Sequence, residues 1–374
     1  MGTRKDWEEI EPLGGGGQSD VFLVRSLKRS MKRKLCLKTI RESLDGDKRA
    51  DLANAVWEFA RPDLPEELGA LKVFKIPAEG ASLDPPPGSE DYEKIERLKN
   101  EIAALSTGTS GLPKLLDSNV AERWIVTEYF PNRTLERNLG LYRGNARAAM
   151  RAFRSLVQTV AELHKRGYVH RDIKPANVFV RSKTELVLGD FGIVYVPDSV
   201  ERVTLTGEKV GPRNYMPQWA NLGSRQNDVQ PCFDVYMLGK LLWSMVDGRP
   251  VLPREYHRSP HYDFDLSATF RNDPNMYLVN KVLDKCVVEY PQQCLVSAQD
   301  LLLVADEVLK IMEAGGQLLD EGIPRPCRVC GKGSYQRAAD SRLLRFWIGG
   351  SDTQHMAVQT YMCDACHHVD FFGG

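Results

Sequence analysis

The eight residues His170 to Asn177 read His-Arg-Asp-Ile-Lys-Pro-Ala-Asn, and they constrain this chain more than any other stretch. Two short apolar runs follow, Val178-Phe179-Val180 and Leu186-Val187-Leu188, which read as a hairpin leading to Asp190-Phe191-Gly192. A carboxylate such as Asp172 can orient a hydroxyl and take its proton. Asn177 and Asp190 can offer the hard oxygen ligands that Mg²⁺ prefers. Lys174 can neutralise a moving phosphate. Phosphoryl transfer asks for these parts and few others.

The two motifs, in this order and spacing, closely resemble the catalytic and metal-binding loops of eukaryotic-like (Hanks-type) Ser/Thr protein kinases. The resemblance covers residues 10–312. It implies an α+β fold with two lobes: a β-rich N-lobe over 1–130 with an insertion around 26–68, and a helical C-lobe over 131–315. A small zinc-ribbon module over 316–374 would follow. It implies ATP and Mg²⁺ as cofactors, a protein substrate and autophosphorylation. By the same resemblance, the lysine of Asp172-Ile173-Lys174 favours Ser/Thr over Tyr hydroxyls. Two other readings share the lobes: a pseudokinase scaffold that binds nucleotide and partners, and a small-molecule phosphotransferase. The intact Asp172, Lys174, Asn177 and Asp190 argue against the scaffold. The wording of the His170 motif argues against the phosphotransferase.

Composition adds bounds. The chain has 374 residues, 42% of them hydrophobic, which suffices for two or three domains with real cores. Lys+Arg and Asp+Glu number 50 each, so no global charge draws it to nucleic acid or a membrane. The start, MGTRKDWEEI, is polar, and no apolar run reaches about 18 residues, so neither a signal nor a span is expected and the location reads as cytoplasmic.

Upstream, Ile10 to Val24 reads IEPLGGGGQSDVFLV, a strand, a tight turn and a second strand. Glycines such as Gly14 and Gly16 let backbone approach phosphates where a Cβ would clash. The family's GxGxxGxV pattern maps onto Gly14, Gly16, Ser19 and Val21, with serine at the third glycine. Asp51 to Ala60 reads as a short helix, and Pro85-Pro86-Pro87-Gly88 as a stiff linker. Tyr92 to Leu105 predicts a helix, with Ile95, Leu98, Ile102 and Leu105 on one face. In the family this helix carries the glutamate, here Glu101, that pairs with a strand lysine on the α- and β-phosphates. Lys72 and Lys38 both compete for that lysine. Ala70 two residues earlier, the more apolar strand 71–76, and a single loop taking the excess of roughly 40 residues favour Lys72. Trp124 to Phe130 resembles the strand and hinge between lobes, with adenine against the backbone from Glu128 to Phe130 and Thr127 at the back.

Downstream, Arg147 to Lys165 predicts a long helix with Phe153, Leu156, Val157, Val160 and Leu163 inward. Thr204 and Thr206 fall where activation-loop phosphorylation would occur, with Arg171 as the partner for such a phosphate. The family's GT…YMAPE wording becomes Gly211-Pro212-Arg213-Asn214-Tyr215-Met216-Pro217-Gln218-Trp219, and Cys294 stands where its late arginine would be. The glutamate position holds Trp219, or Gln218 if one residue is deleted, so a glutamate–arginine pair is replaced on both sides, which can be energetically neutral. Pro212 removes a hydroxyl used in substrate positioning. Asp234 to Val246 predicts the central helix of the large lobe, residues 260–275 a surface excursion, and Ser297 to Met312 a last helix capped by Ser297.

Cys327, Cys330, Cys363 and Cys366 form two CxxC knuckles separated by 32 residues. Four thiolates at such spacing suit a closed tetrahedral Zn²⁺ site of structural type, and a module this small would draw folding energy from the metal. His367 and His368 would then be spare. The expected partner of this module is a protein. Nucleic acid is the lesser alternative, since residues 322–351 hold six Arg/Lys and one acid, Asp340.

Overall fold

The structure is a computed structural model that describes residues 3–15, 19–27, 68–75, 85–86, 89–191, 214–221, 229–259, 263–270, 273, 275–314, 329, 335–337, 342–347, 353–363 and 365–373. Gly16, Lys38, Gly192, Thr204, Thr206, Pro212, Cys327 and Cys330 lie outside the described residues. So do the helix expected over 51–60 and Pro87-Gly88 of the 85–88 linker.

Alternating apolar residues build a five-stranded antiparallel sheet from β1 (Trp7–Gly15), β2 (Ser19–Ser26), β3 (Leu68–Phe74), β4 (Leu115–Asn119) and β5 (Trp124–Glu128). The order is β1-β2-β3-β5-β4, so β3 sits at the centre, paired to β2 and β5. Its register sets Lys72 opposite Val21 on one side and Ile125 on the other. Val24, Leu71, Trp124 and Val126 close one face of the sheet as a small core.

Helix α1 (Glu90–Ser106) covers the other face. Ser89 caps it, its Oγ accepting from the Tyr92 N–H at 3.2 Å. Ile95, Leu98 and Leu105 are buried as the periodicity predicts, and Ile102 packs partly buried against the core. Glu101 shares that burial, at 5% exposed.

The second body is helical: α2 (Ala146–Lys165), α3 (Cys232–Asp247), α4 (Leu266–Thr269), α5 (Met276–Cys286) and α6 (Ala298–Ala314). All five predicted inward residues of α2 are buried, and removing a ring such as Phe153 would cost about 3–5 kcal/mol. Helix α3 is buried on every side, all its residues but Phe233 being buried, which makes it the axis of this body. Ser297 caps α6 in a reciprocal box: its Oγ accepts from Asp300 N–H and donates to the Asp300 carboxylate at 2.7 Å.

Of the stretch 260–275, expected as a surface excursion, the described part 263–270 is mostly exposed or half-buried but folds back as α4, with Leu266 fully buried and the Phe264 ring against Trp243 at 5.8 Å. Its polar residues turn out to be caps: Asp265 accepts from Ser267 and Ala268 N–H, and Asp273 from Ala146 N–H at the start of α2.

Trp219 and Cys294 stand in the two stretches where the family's charged pair would be. Both side chains are buried in the main core. The Trp219 indole donates to the Val288 carbonyl at 3.2 Å, and Cys294 Sγ lies 3.6 Å from the Cys286 carbonyl.

The hairpin after Asn177 is β6 (Val178–Val180) paired with β7 (Leu186–Leu188). Near the C-terminus, β8 (Tyr335–Arg337), β9 (Arg342–Trp347) and β11 (Val369–Gly373) pair with β10 (Thr353–Cys363). Among the described residues no group of three or more His, Cys, Asp or Glu could hold a metal ion, two of the four predicted cysteines being outside them.

Candidate active site

The cleft between sheet and helices encloses about 600 Å³. Val21 and Ala70 line it from the sheet, Thr127 to Phe130 along the connecting strand, and Asn177, Phe179 and Asp190 from the helical side. Gly14 lies at its mouth with φ +154°, and nothing stands within 4 Å of where a Cβ would be.

Among the described residues, Lys72 is the lysine that lines this cleft. Its Nζ donates to Glu101 Oε2 at 2.9 Å and to Asp190 Oδ1 at 3.1 Å. Burial works against the lysine's charge, but the two carboxylates outweigh it and hold the ammonium well above the usual lysine range. Lys72 in turn holds Asp190 down to about 2. Burial pushes Glu101 up, with Lys72 pulling against it. The Asp190 side chain is 47% exposed, so a carboxylate oxygen remains open to the cleft.

Asp172 and Lys174 face each other across the catalytic turn, with Lys174 Nζ 3.0 and 2.9 Å from the two carboxylate oxygens. Asn177 Nδ2 donates to Asp172 Oδ2 at 2.7 Å and to the Asp172 carbonyl at 2.9 Å. The amide nitrogen is thereby fixed toward Asp172, which turns its oxygen away. Burial raises the Asp172 pKa, and Lys174 opposes it.

What holds this loop is Asp234 at the start of α3. Its carboxylate is fully buried and accepts three bonds, from His170 N–H and Arg171 N–H at 2.8 Å each and from His164 Nε2 at 2.9 Å. His164 Nδ1 accepts from the Ala298 N–H at 3.1 Å, which leaves the proton on Nε2 to serve Asp234. His170 ties the two motifs together: Nε2 donates to the Gly189 carbonyl at 3.2 Å and the ring meets Phe191 edge-on at 4.9 Å. Burial lowers its pKa and keeps it neutral. Arg171 and Asp190 both take the left-handed conformation, φ +68° and +61°. That strain marks backbone held by its surroundings at a functional turn.

Several contributors carry no readable signal in the sequence. Phe179 floors the cleft, stacked on Phe130 at 4.9 Å, and its ring lies 2.6 Å from where a Gly189 Cβ would stand. Glu128, expected only as hinge backbone, uses its side chain on Arg181 at 2.7 Å and its N–H on the Lys114 carbonyl at 2.9 Å. Arg97, Arg133 and Arg137 also line the cleft. At the C-terminal module, the Cys363 sulfur accepts from Ala365 N–H at 3.4 Å in the turn leading to Cys366, and His367 there has φ +58°.

A family model described as the protein kinase domain matches residues 94–310, more than half of the chain. The match begins inside α1; the strand carrying Lys72 precedes it. The serine/threonine-protein kinase PknB of Mycobacterium tuberculosis is 28% identical over 249 residues, 65% of this chain and 33% of that one. The probable serine/threonine-protein kinase SCO3848 of Streptomyces coelicolor is 28% identical over 245 residues, covering 65% and 30%. The human eIF-2-alpha kinase GCN2 is 30% identical over 131 residues, covering 34% and 8%. The chain spans about a third of the length of the first two of these curated relatives. With the two motifs and their geometry, these matches show that the chain belongs to the protein kinase domain family.

Proposed function

We propose that the chain is an ATP- and Mg²⁺-dependent Ser/Thr protein kinase that moves the γ-phosphoryl group to protein hydroxyls, itself included. The observation that carries this is Lys72 bonded at once to Glu101 and Asp190, in one cleft with Asp172, Lys174 and Asn177. Relatives named as Ser/Thr kinases support it.

In this reading Asp172 accepts a hydrogen bond from the incoming Ser or Thr hydroxyl, orients its lone pair and receives its proton. The raised Asp172 pKa suits an acceptor. Lys174, bound to both Asp172 oxygens, can swing one N–H to the transferring group. Lys72 holds the α- and β-phosphate end, kept in place by Glu101. The outward Asn177 oxygen and the open Asp190 carboxylate are hard donors that fit Mg²⁺, which when bound neutralises the phosphate charge. Adenine lies between Val21 and Ala70 above and Phe179 below, with Glu128 to Phe130 at its edge. Gly14 and Gly16 cover the phosphates.

The lobes divide at about residue 130, and residues 316–374 form a separate ribbon in which Cys327, Cys330, Cys363 and Cys366 hold a structural Zn²⁺. The Cys363 turn fits this role, and the ribbon serves a protein contact. The test is incubation of purified protein with labelled ATP and Mg²⁺, then mapping of labelled residues on the chain and on a generic protein substrate. Label on Ser or Thr is the expected result. Nucleotide binding with no transfer to any protein would overturn the reading in favour of a scaffold.

A further inference from the structure

Among the described residues, the charges lining the cleft do not balance. Its carboxylates are Glu101, Glu128 and Asp190. Glu101 and Asp190 both serve Lys72, and Glu128 serves Arg181. Three arginines remain. Arg97 lies deep, 6% exposed, its Nε without a partner among the described residues, on the turn of α1 before Glu101. It adds to the positive charge at the phosphate end.

Arg133 and Arg137 sit at the rim. The segment that carries them runs beside the catalytic turn: Thr134 bridges to Phe179, and the Val180 N–H donates to the Arg133 carbonyl at 3.1 Å. Arg133 has the left-handed φ +62° and holds its guanidinium 5.7 Å over the Tyr129 ring. Its ion pair with Glu11 is long, 3.8 Å, and both side chains are exposed, so solvent screens it. Arg137 is exposed and, among the described residues, makes no side-chain ion pair. Glu136, between them, does not line the cleft; its charge acts on the Tyr215 side, where it adds to the effect of burial in disfavouring the phenolate. The catalytic turn itself offers Ala176 toward the cleft, a side chain without charge.

A nucleotide with its metal ions is close to neutral and engages Lys72, so it does not consume the rim charge. A polypeptide bringing a hydroxyl to Asp172 passes this rim. We infer that Arg133 and Arg137 select the substrate: the enzyme takes Ser/Thr hydroxyls flanked by acidic residues, either Asp/Glu or residues already phosphorylated. This rests on the kinase reading above. Guanidinium forks suit carboxylates and phosphates alike.

The test uses three Ser/Thr peptides of one length, flanked by Asp/Glu, by neutral residues or by Lys/Arg, together with an acidic peptide whose hydroxyl residue is Ala. Fluorescence anisotropy with the full chain reads binding of the Ala peptide without any chemistry. Steady-state kinetics reads kcat/KM for the others. The acidic peptide should bind and react about tenfold better than the basic one, with the advantage shrinking as salt is raised. Arg133→Glu combined with Arg137→Glu should invert the order, and Arg133→Gln with Arg137→Gln should flatten it; both sites are on the surface and tolerate substitution. A pre-phosphorylated flanking serine in place of Asp tells phosphate from carboxylate. Transfer to basic and acidic peptides alike, or a preference unmoved by charge reversal, overturns the inference while leaving the kinase reading intact. Charge-dependent binding without transfer to any peptide does the reverse.

Discussion

Lys72 Nζ lies 2.9 Å from Glu101 Oε2, joining the central strand β3 to helix α1 across 29 residues of sequence. The register of β3 against β2 and β5 points this side chain into the cleft, and the burial of the Ile95–Leu98–Leu105 stripe turns Glu101 to meet it. Lys38, its rival in the sequence, lies outside the described residues. Lys72→Met should lower phosphoryl transfer by about 100- to 1,000-fold, by loss of a preorganised cation. Lys38→Met should stay near wild type. Parallel transfer assays decide; an inactive Lys38→Met beside a near-normal Lys72→Met would reverse the assignment.

Asp172 and Asp190 should separate in their effects. Asp172→Ala removes the acceptor for the hydroxyl proton and should cut kcat by roughly 10²–10⁴, with nucleotide affinity largely kept. Asp190→Ala should in addition weaken Mg²⁺-dependent nucleotide binding, because its open carboxylate and its bond to Lys72 vanish together. Titration of a fluorescent ATP analogue with and without Mg²⁺ distinguishes the two.

Asp234→Asn keeps the shape but puts an NH₂ where the carboxylate accepts from His164, His170 and Arg171. Each buried donor left unmet costs about 1–3 kcal/mol. The pH dependence has a definite sign. Burial alone would raise this carboxyl, yet the bond from His164 and the loop's N–H groups hold the folded value below the ordinary one. Its contribution is therefore complete above the unfolded value, near 4, and is lost as pH falls through the lower folded value. Thermal melts from pH 7 to 3 should show the variant least stable relative to wild type at neutral pH, with the gap closing below about pH 4. A gap that widens in acid would refute this.

Gly189→Ala places a Cβ 2.6 Å from the Phe179 ring, immediately before Asp190. Overpacking of this kind costs about 1–3 kcal/mol. The ring is the cleft floor, so nucleotide affinity should fall more than global stability. Pairing the change with Phe179→Leu should restore much of the loss, since the smaller side chain vacates the space. Affinity unmoved in the single variant would mean that Phe179 yields freely.

The four ribbon cysteines should bring one Zn²⁺ per chain, measurable by metal analysis of the purified protein. Cys330→Ser should lose the metal while the thermal transition of the two lobes stays within a few degrees, because α6 ends before this module begins. Carefully prepared protein without zinc would reject the site.

Much of this protein is local and therefore legible in the amino-acid sequence. The motif His170 to Asn177, Asp190, the helical stripe of α1 and the inward face of α2 follow from residue types at short spacing, and short spacing survives without knowledge of the fold. Strand composition and loop length bear on Lys72, and the structure brings it to Glu101 and Asp190. Tertiary structure decided what spacing does not encode. Asp234 and His164 brace the catalytic loop across 70 residues. Phe179 becomes a floor only because Gly189 leaves room for it. The 260–275 stretch read as surface from its polar residues, yet those residues are caps that let Leu266 be buried. The unbalanced rim at Arg133 and Arg137 shows only once every carboxylate of the cleft has been matched to its cation. Partners distant in sequence meet through packing and register, and an isolated charge in the sequence carries no mark of whether the fold will neutralise it.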